Sequence, residues 1–473
     1  MIASGTVTKA RHAALRGLAV VTAVAIAAAG GGPAPLQPAM AQEKASRGLP
    51  IIRDTEIEQL LRDYAQPILR AAGLAQQNVR VIVLNDRSFN AFVMDGRHIF
   101  VNAGALFEAK TPNEVIGVFA HETGHLAGGH LLRLREKLAE AQTQSIIAML
   151  LGVGAMVAAS RSGNADVGAG PILAPQAGIQ RSLLAYVRTQ EDQADHAGVK
   201  FLTLTHQSAR GMLDLFKRLS NEMLFSSARI DPYMQSHPLP PDRVAALEVL
   251  AKASPYYDAK DPPALQLRHD LMRAKLSGFL ESPSTVARRY PPGDRSLPAR
   301  YAHAISTYRF GDLRQAVAQI DGLIEAEPNN AFFHELKGQA LLEGGHAAEA
   351  IAPLRRAVAL TPRPALIQIM LAQALIAGNN AKEAEEAVGL LRSAIQREPD
   401  TPDAYAQLAM AYGRKGDVAN ADLAAAQAAF NRGDMMTAKQ LAARAKTRLA
   451  VGSPAWVQAD DIVNVKMPTA KRN

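Results

Sequence analysis

Between residues 51 and 75 apolar side chains return near the helical period, at Ile51, Ile57, Leu60, Leu61, Tyr64, Ile68 and Leu69, which predicts one amphipathic helix. The pattern then changes. Val79 to Leu84 is a β-branched run, and Ala91 to Met94 and Arg97 to Asn102 flank Asp95-Gly96. These segments predict strands. The last two should form a hairpin, because an Asp-Gly pair supplies the positive φ values of a tight turn. From Asn113 to about Ala141 the period is helical again. Thr111 can cap this helix, Pro112 suits its first position, and Glu114 stands three after Thr111 as in a capping box. Ile146 to Ala159 is apolar for 14 residues, and a Gly-, Ala- and Pro-rich stretch continues to Gly178. That length is too short to span a bilayer, so a buried helix or lid and a membrane-dipping loop both stay open. A further helix is expected from about Ser182 to Leu204.

Residues 256–299 are rich in proline and charge around one short amphipathic helix, and read as a connector. Beyond them the pattern repeats. Ala316, Ala350 and Ala384 are 34 apart, as are Pro328 and Pro362, while the step to Pro399 is 37 and implies three extra residues after Ala384. Gly338, Leu341, Ala350, Ala357 and Pro362 mark the small and large positions at which paired helices of a tetratricopeptide repeat interlock, and Leu408, Ala409, Tyr412, Gly416, Ala421 and Ala428 continue the series. Four units are expected, with a looser helical pair near 420–450 as a cap.

The first 41 residues read as an export leader. Lys9, Arg11 and Arg16 precede an apolar stretch from Gly17 to Ala29, prolines break it, and Ala39-Met40-Ala41 offers a small-x-small cleavage pattern before Gln42. An uncleaved anchor is the alternative. The expected plan is therefore a signal peptide over 1–41, a first domain over 42–255, the connector, repeats over 300–450 and a tail over 451–473. Without the leader 49 basic residues face 44 acidic ones. That excess is no nucleic-acid footprint and allows at most loose attraction to anionic head groups.

The chain has no cysteine. Disulfides, thiolate metal sites and cysteine nucleophiles are excluded together, so any metal must be held by His, Asp and Glu. His121-Glu122-Thr123-Gly124-His125 supplies such a set. Four residues advance a helix by about 400°, so both imidazoles leave one face and can share a cation. Glu122 is then near enough to act on a water without ligating. A third ligand must come from elsewhere. His130 is one residue short of the three-histidine pattern, and on a continuous helix it would face away from His121. Glu191 is the better candidate, with Asp195 one turn on to orient a ligating histidine. His237-Pro238 and Arg243 form the last element, as groups that could stabilise an oxyanion.

Asn90-Ala91-Phe92, Ile99-Phe100-Val101-Asn102, His121-Glu122-Thr123-Gly124-His125, Glu191 with Asp195, and Ser236-His237-Pro238 with Arg243 resemble, in order and spacing, the zinc endopeptidases related to the membrane protease HtpX and the CAAX prenyl protease. Within them the chain looks most like the secreted bacterial members with carboxy-terminal tetratricopeptide repeats, the beta-barrel assembly-enhancing proteases. The resemblance implies a mostly α fold: a gluzincin-like zinc peptidase domain with a small β-sheet, followed by an α-solenoid of repeats. It also implies one zinc ion, Glu122 as general base, and periplasmic proteolysis of misassembled outer-membrane proteins with the repeats contacting the barrel-assembly machinery.

Two expectations go further. The strand Arg97 to Asn102 could form a sheet edge on which an extended substrate adds. His237 could fill the open zinc position and keep a resting site closed. Two other functions compete with a protease: a repeat-based chaperone or scaffold with a largely latent site, and a cytosolic repeat adaptor with a structural metal.

Overall fold

A computed structural model describes residues 49–143, 170–225, 232–361, 364–378 and 380–465. The leader, the apolar stretch from Ile146 to Ala159 and Pro362 lie outside the described residues. Two compact units are distinguished: one of residues up to Arg53 and Glu58–His269, the other of Asp54–Ile57 and Asp270 onward.

In the first unit Ile51–Ile52 (β1), Arg80–Leu84 (β2), Ala91–Val93 (β3) and His98–Asn102 (β4) make one mixed sheet in the order β1-β2-β4-β3. β4 runs parallel to β2, with Val81 opposite Ile99, and antiparallel to β3, with Phe92 opposite Phe100. Ile51 belongs to no helix; it pairs with Leu84. Helix Thr55–Ala71 (α1) begins only after Asp54, whose carboxylate accepts the Ile57 amide at 2.9 Å.

Two expectations about the hairpin are corrected. Neither Asp95 nor Gly96 takes a positive φ. The Asp95 carboxylate instead accepts the amides of Arg97 and His98, both at 2.8 Å, and closes a longer loop. Nor is the strand of Arg97 to Asn102 an edge. Ile99, Phe100 and Val101 are all buried, a run without a polar face, which suits a strand covered on both sides. The three-residue β3 ends the sheet.

After the short helix Ala103–Glu108 (α2) comes Pro112–Gly128 (α3), which carries the histidines. Thr111 accepts the Glu114 amide, and the Glu114 carboxylate reaches back to the Lys110 amide at 2.8 Å. A cap of this kind contributes about 1 kcal/mol. The helix does not run to Ala141. Gly129 takes a φ of 60°, its amide turns back to the carbonyls of His125 and Leu126, and a separate helix (α4) follows over residues 130–143. Gly170–Leu204 (α5) starts earlier than expected, and Arg210–Phe225 (α6), Pro232–Ser236 (α7) and Pro241–Ala253 (α8) complete the site's frame. α3 lies close against α5 and α6. A Cβ on Gly124 would meet the Ala194 carbonyl oxygen at 2.8 Å, and one on Gly117 would meet the Met212 Cβ at 2.5 Å. That approach lets side chains from α3 and α5 reach one point.

Residues 256–299 hold two helices, Pro263–Leu280 (α9) and Pro283–Arg289 (α10), and the unit boundary falls within α9. Helix pairs follow from Leu297–Phe310 with Leu313–Ala326 onward. Ala316, Ala350 and Ala384 are at most 1% exposed, so each 34-residue step returns to the same interior position. Gly338 lets the pair close: a Cβ there would stand 2.4 Å from Leu354 Cγ. The three extra residues lengthen one helix, Ala381–Arg397, to 17 residues where Ala347–Leu360 has 14. Val418–Asn431 and Met435–Lys446 pack together where a pair was expected near 420–450, and a further helix, Pro454–Asn464, occupies part of the stretch read as a tail.

The second unit also buries an uneven charge cluster. Lys275 Nζ stands 2.7 Å from Asp54, 3.2 Å from Glu56 and 3.9 Å from Glu335. One ammonium serves three carboxylates, and burial pushes Glu335 up to about 8 despite Lys275. The folded state therefore keeps a proton that the unfolded chain releases above about 4.5, and stability falls as pH rises between those values. Glu335→Gln removes this slope. Its melting temperature should gain on wild type from pH 5 to pH 8.5, measured by thermal scans; a constant gap would count against the assignment.

Candidate metal centre

His121 and His125 leave one face of α3, and their Nε2 atoms face each other 3.1 Å apart. Glu191, from α5, bridges them: Oε2 is 3.4 Å from His121 Nε2 and Oε1 is 3.4 Å from His125 Nε2. His237, just beyond α7, brings Nδ1 to 3.3 Å from His121 Nε2 and 3.1 Å from Glu191 Oε2. One ligand atom from each of the four residues lies within 4.8 Å of the others. Tetrahedral ligands at zinc distances stand about 3.4 Å apart, so these spacings suit a shared cation.

Glu122 points into the same place. It is 1% exposed, and neither carboxylate oxygen has a hydrogen-bond partner among the described residues. Burial raises its pKa, more than the nearby His237 and His121 lower it. Its nearest ionisable partner is His237, with Nε2 3.5 Å from Oε1. A buried carboxylate with orphaned oxygens beside converging imidazoles is suited to a site that binds a cation and a water.

Asp195 Oδ1 lies 2.9 Å from His121 Nδ1, on the side of the ring away from the ligand cluster. Burial would depress His121, but hydrogen bonds and charge from Asp195 and Glu191 outweigh it and push the ring to about 9. Glu191 is held well below the usual carboxylate range: burial opposes this, and His237 and His125 overcome it. Burial dominates at His125, which falls well below its ordinary value.

Arg243 sits differently from the sequence-based expectation of an oxyanion group. Nε and Nη2 donate to the Asp195 carboxylate at 2.7 and 2.9 Å, and Nη1 reaches the Pro238 carbonyl and Glu191 Oε2, both at 2.8 Å. All three guanidinium nitrogens are engaged from behind the ligands. The planar fork matches a carboxylate better than any other side chain would, which is why the sequence places an arginine there.

Two residues at the site were not singled out from the sequence. The Tyr233 ring lies over His237 at 4.7 Å between centroids, and Phe216 meets His121 edge-on at 5.6 Å. Only the four-residue spacing of Tyr233 and His237 hinted at the first. His130, expected to face away, lies against His125, with Nδ1 to Nδ1 at 3.0 Å. The signal was Gly128-Gly129, which ends α3 before that face can turn away.

No helix among the described residues is long and apolar enough to cross a membrane. Residues 52–251 match the profile of Peptidase family M48. The chain is 23% identical over 315 residues to the beta-barrel assembly-enhancing protease of Escherichia coli strain K12, covering 65% of this chain and 62% of that one. It is 24% identical over 297 residues to a Vibrio cholerae counterpart, covering 60% and 58%. The match thus spans about three fifths of the length of these curated relatives. Among solved structures, the crystal structure of MamA aligns with 34% of this chain and 90% of its own at 22% identity, with a TM-score of 0.28. With the profile match falling on the unit that brings the two histidines and Glu191 together, residues 52–251 are similar to the peptidases of family M48.

Proposed function

We propose that this chain is a zinc-dependent endopeptidase of the bacterial periplasm, acting on unfolded or misassembled proteins, outer-membrane proteins above all. One observation carries the reading: three ligands converge beside Glu122, whose buried oxygens have no hydrogen-bond partner among the described residues. His121, His125 and Glu191 would hold the ion, which when bound polarises a carbonyl and lowers the pKa of a water. Glu122 takes the proton of the attacking water and passes it to the leaving amine, a role suited to a carboxyl raised by burial. Asp195 fixes the ring of His121, and Arg243 holds Asp195 and Glu191 in place. His237 is the side chain nearest to both Glu122 and the ligands that could donate to a developing oxyanion. The leader supports export, and the names of the relatives support barrel assembly as the setting, with the repeats as the part that would contact that machinery. A mild positive charge allows peripheral membrane contact and gives no footprint for nucleic acid.

Purified chain should carry one zinc. Chelation should remove cleavage of an unfolded protein, and equimolar zinc should restore it; full activity after the metal is gone would end the reading.

One observation favours a second state. His237 Nδ1 stands among the ligand atoms, where it could hold the ion as a fourth protein ligand and keep water from it. In that form the chain works as a repeat-based chaperone or scaffold, with proteolysis released when substrate or a partner displaces His237. His237→Ala should then raise basal peptide cleavage. A variant that only lowers it would return His237 to the oxyanion alone.

A further inference from the structure

We propose that His130 is a positioning residue for His125, accepting its Nδ1–H and so fixing that imidazole with Nε2 free for the metal. The inference rests on the metal-centre reading and extends it to a second histidine pair.

The two rings meet Nδ1 to Nδ1 at 3.0 Å. Two nitrogens so close require one donor and one acceptor. On His125 the other nitrogen faces His121 Nε2 at 3.1 Å and Glu191 Oε1 at 3.4 Å, where a lone pair is needed for ligation. Its proton therefore belongs on Nδ1, and His130 must be the acceptor. The other ring of the ligand pair is fixed in the same manner by a carboxylate, Asp195 on His121 Nδ1. His130 is thus the neutral counterpart of Asp195. The residue is buried, 3% exposed, with its ring against His125.

The backbone is built for this contact. On an unbroken helix residue 130 would be turned about 140° away from residue 125. Gly129, at a φ of 60°, breaks the helix there and returns the ring towards α3. Gly128 leaves the space that the ring enters, since a Cβ there would come within 2.2 Å of His130 Nε2.

The test uses the full-length chain, stripped of metal and titrated with Zn2+ against a chromogenic chelator, then with Co2+ to read the visible ligand-field spectrum. His130→Ala should weaken Zn2+ binding about 10–100-fold and alter the Co2+ spectrum. His130→Asn, whose Oδ1 replaces the accepting nitrogen, should recover most of the affinity. Gly128→Ala should reproduce the loss without touching residue 130, while favouring the helix, and so covers the case in which His130→Ala fails to fold. Unchanged affinity and spectrum in His130→Ala and Gly128→Ala would overturn the proposal, as would an Asn variant no better than Ala. If wild type itself binds no Zn2+, the metal-centre reading falls and takes this one with it.

Discussion

Glu122→Gln is expected to lower kcat by about 10²–10⁴-fold, the usual contribution of a positioned general base, while the metal content stays at wild-type level. The two effects separate because Glu122 touches no ligand. Its nearest ionisable partner is His237 at 3.5 Å, and both its oxygens are buried without a hydrogen-bond partner among the described residues. Stability should move the opposite way. A carboxyl raised by burial destabilises the fold at neutral pH, because the unfolded chain ionises it freely while the folded one resists. The amide cannot ionise, so the metal-free variant should melt at least as high as metal-free wild type, with a gap that widens as pH rises above about 4.5. Activity assays and metal analysis on the zinc-loaded proteins, with thermal scans on the metal-free ones, check all three. Cleavage surviving in a zinc-loaded variant would remove Glu122 from the mechanism. A fall in bound zinc would mean that it ligates.

Much of the site was legible because helical spacing is itself geometry. His121 and His125 could be paired on one face from their separation alone, and Glu191 with Asp195 on another. That the two faces meet depends on small residues, Gly124 against Ala194 and Gly198 against Ala120, which a periodicity reads as nothing in particular. His130 was misplaced for a related reason. The apolar period continues through Gly128-Gly129, and only the positive φ of Gly129 shows that the helix has ended. The repeats were readable for the opposite reason: Ala316, Ala350 and Ala384 are fixed by packing against a neighbouring helix, so period and burial coincide. Strand order was not readable. β4 and β3 form the hairpin that Asp95-Gly96 suggested, yet the parallel pairing of β2 with β4 is a non-local choice that no adjacent residue encodes.

Arg243→Ala should cost the folded state about 3–5 kcal/mol, as breaking a buried ion pair does when the other charges stay behind. Two carboxylates would be left: Asp195, which accepts from Nε and Nη2, and Glu191, 2.8 Å from Nη1. Zinc binding should weaken with it, since Asp195 would lose the partner that holds it on His121. Added zinc should restore part of the lost stability. The ion compensates Glu191 directly, but Asp195 faces the far nitrogen of His121 and gains only indirectly. Arg243→Lys keeps the charge and loses the fork, so one ammonium cannot serve both carboxylates and the Pro238 carbonyl, and its loss should be intermediate. The oxyanion role suggested by the sequence predicts another pattern, with kcat reduced while melting temperature and zinc affinity stay unchanged. Thermal scans with and without zinc, set beside kcat for the three proteins, decide between a guanidinium that holds the ligands and one that meets the substrate. The engagement of all three of its nitrogens with protein acceptors favours the first.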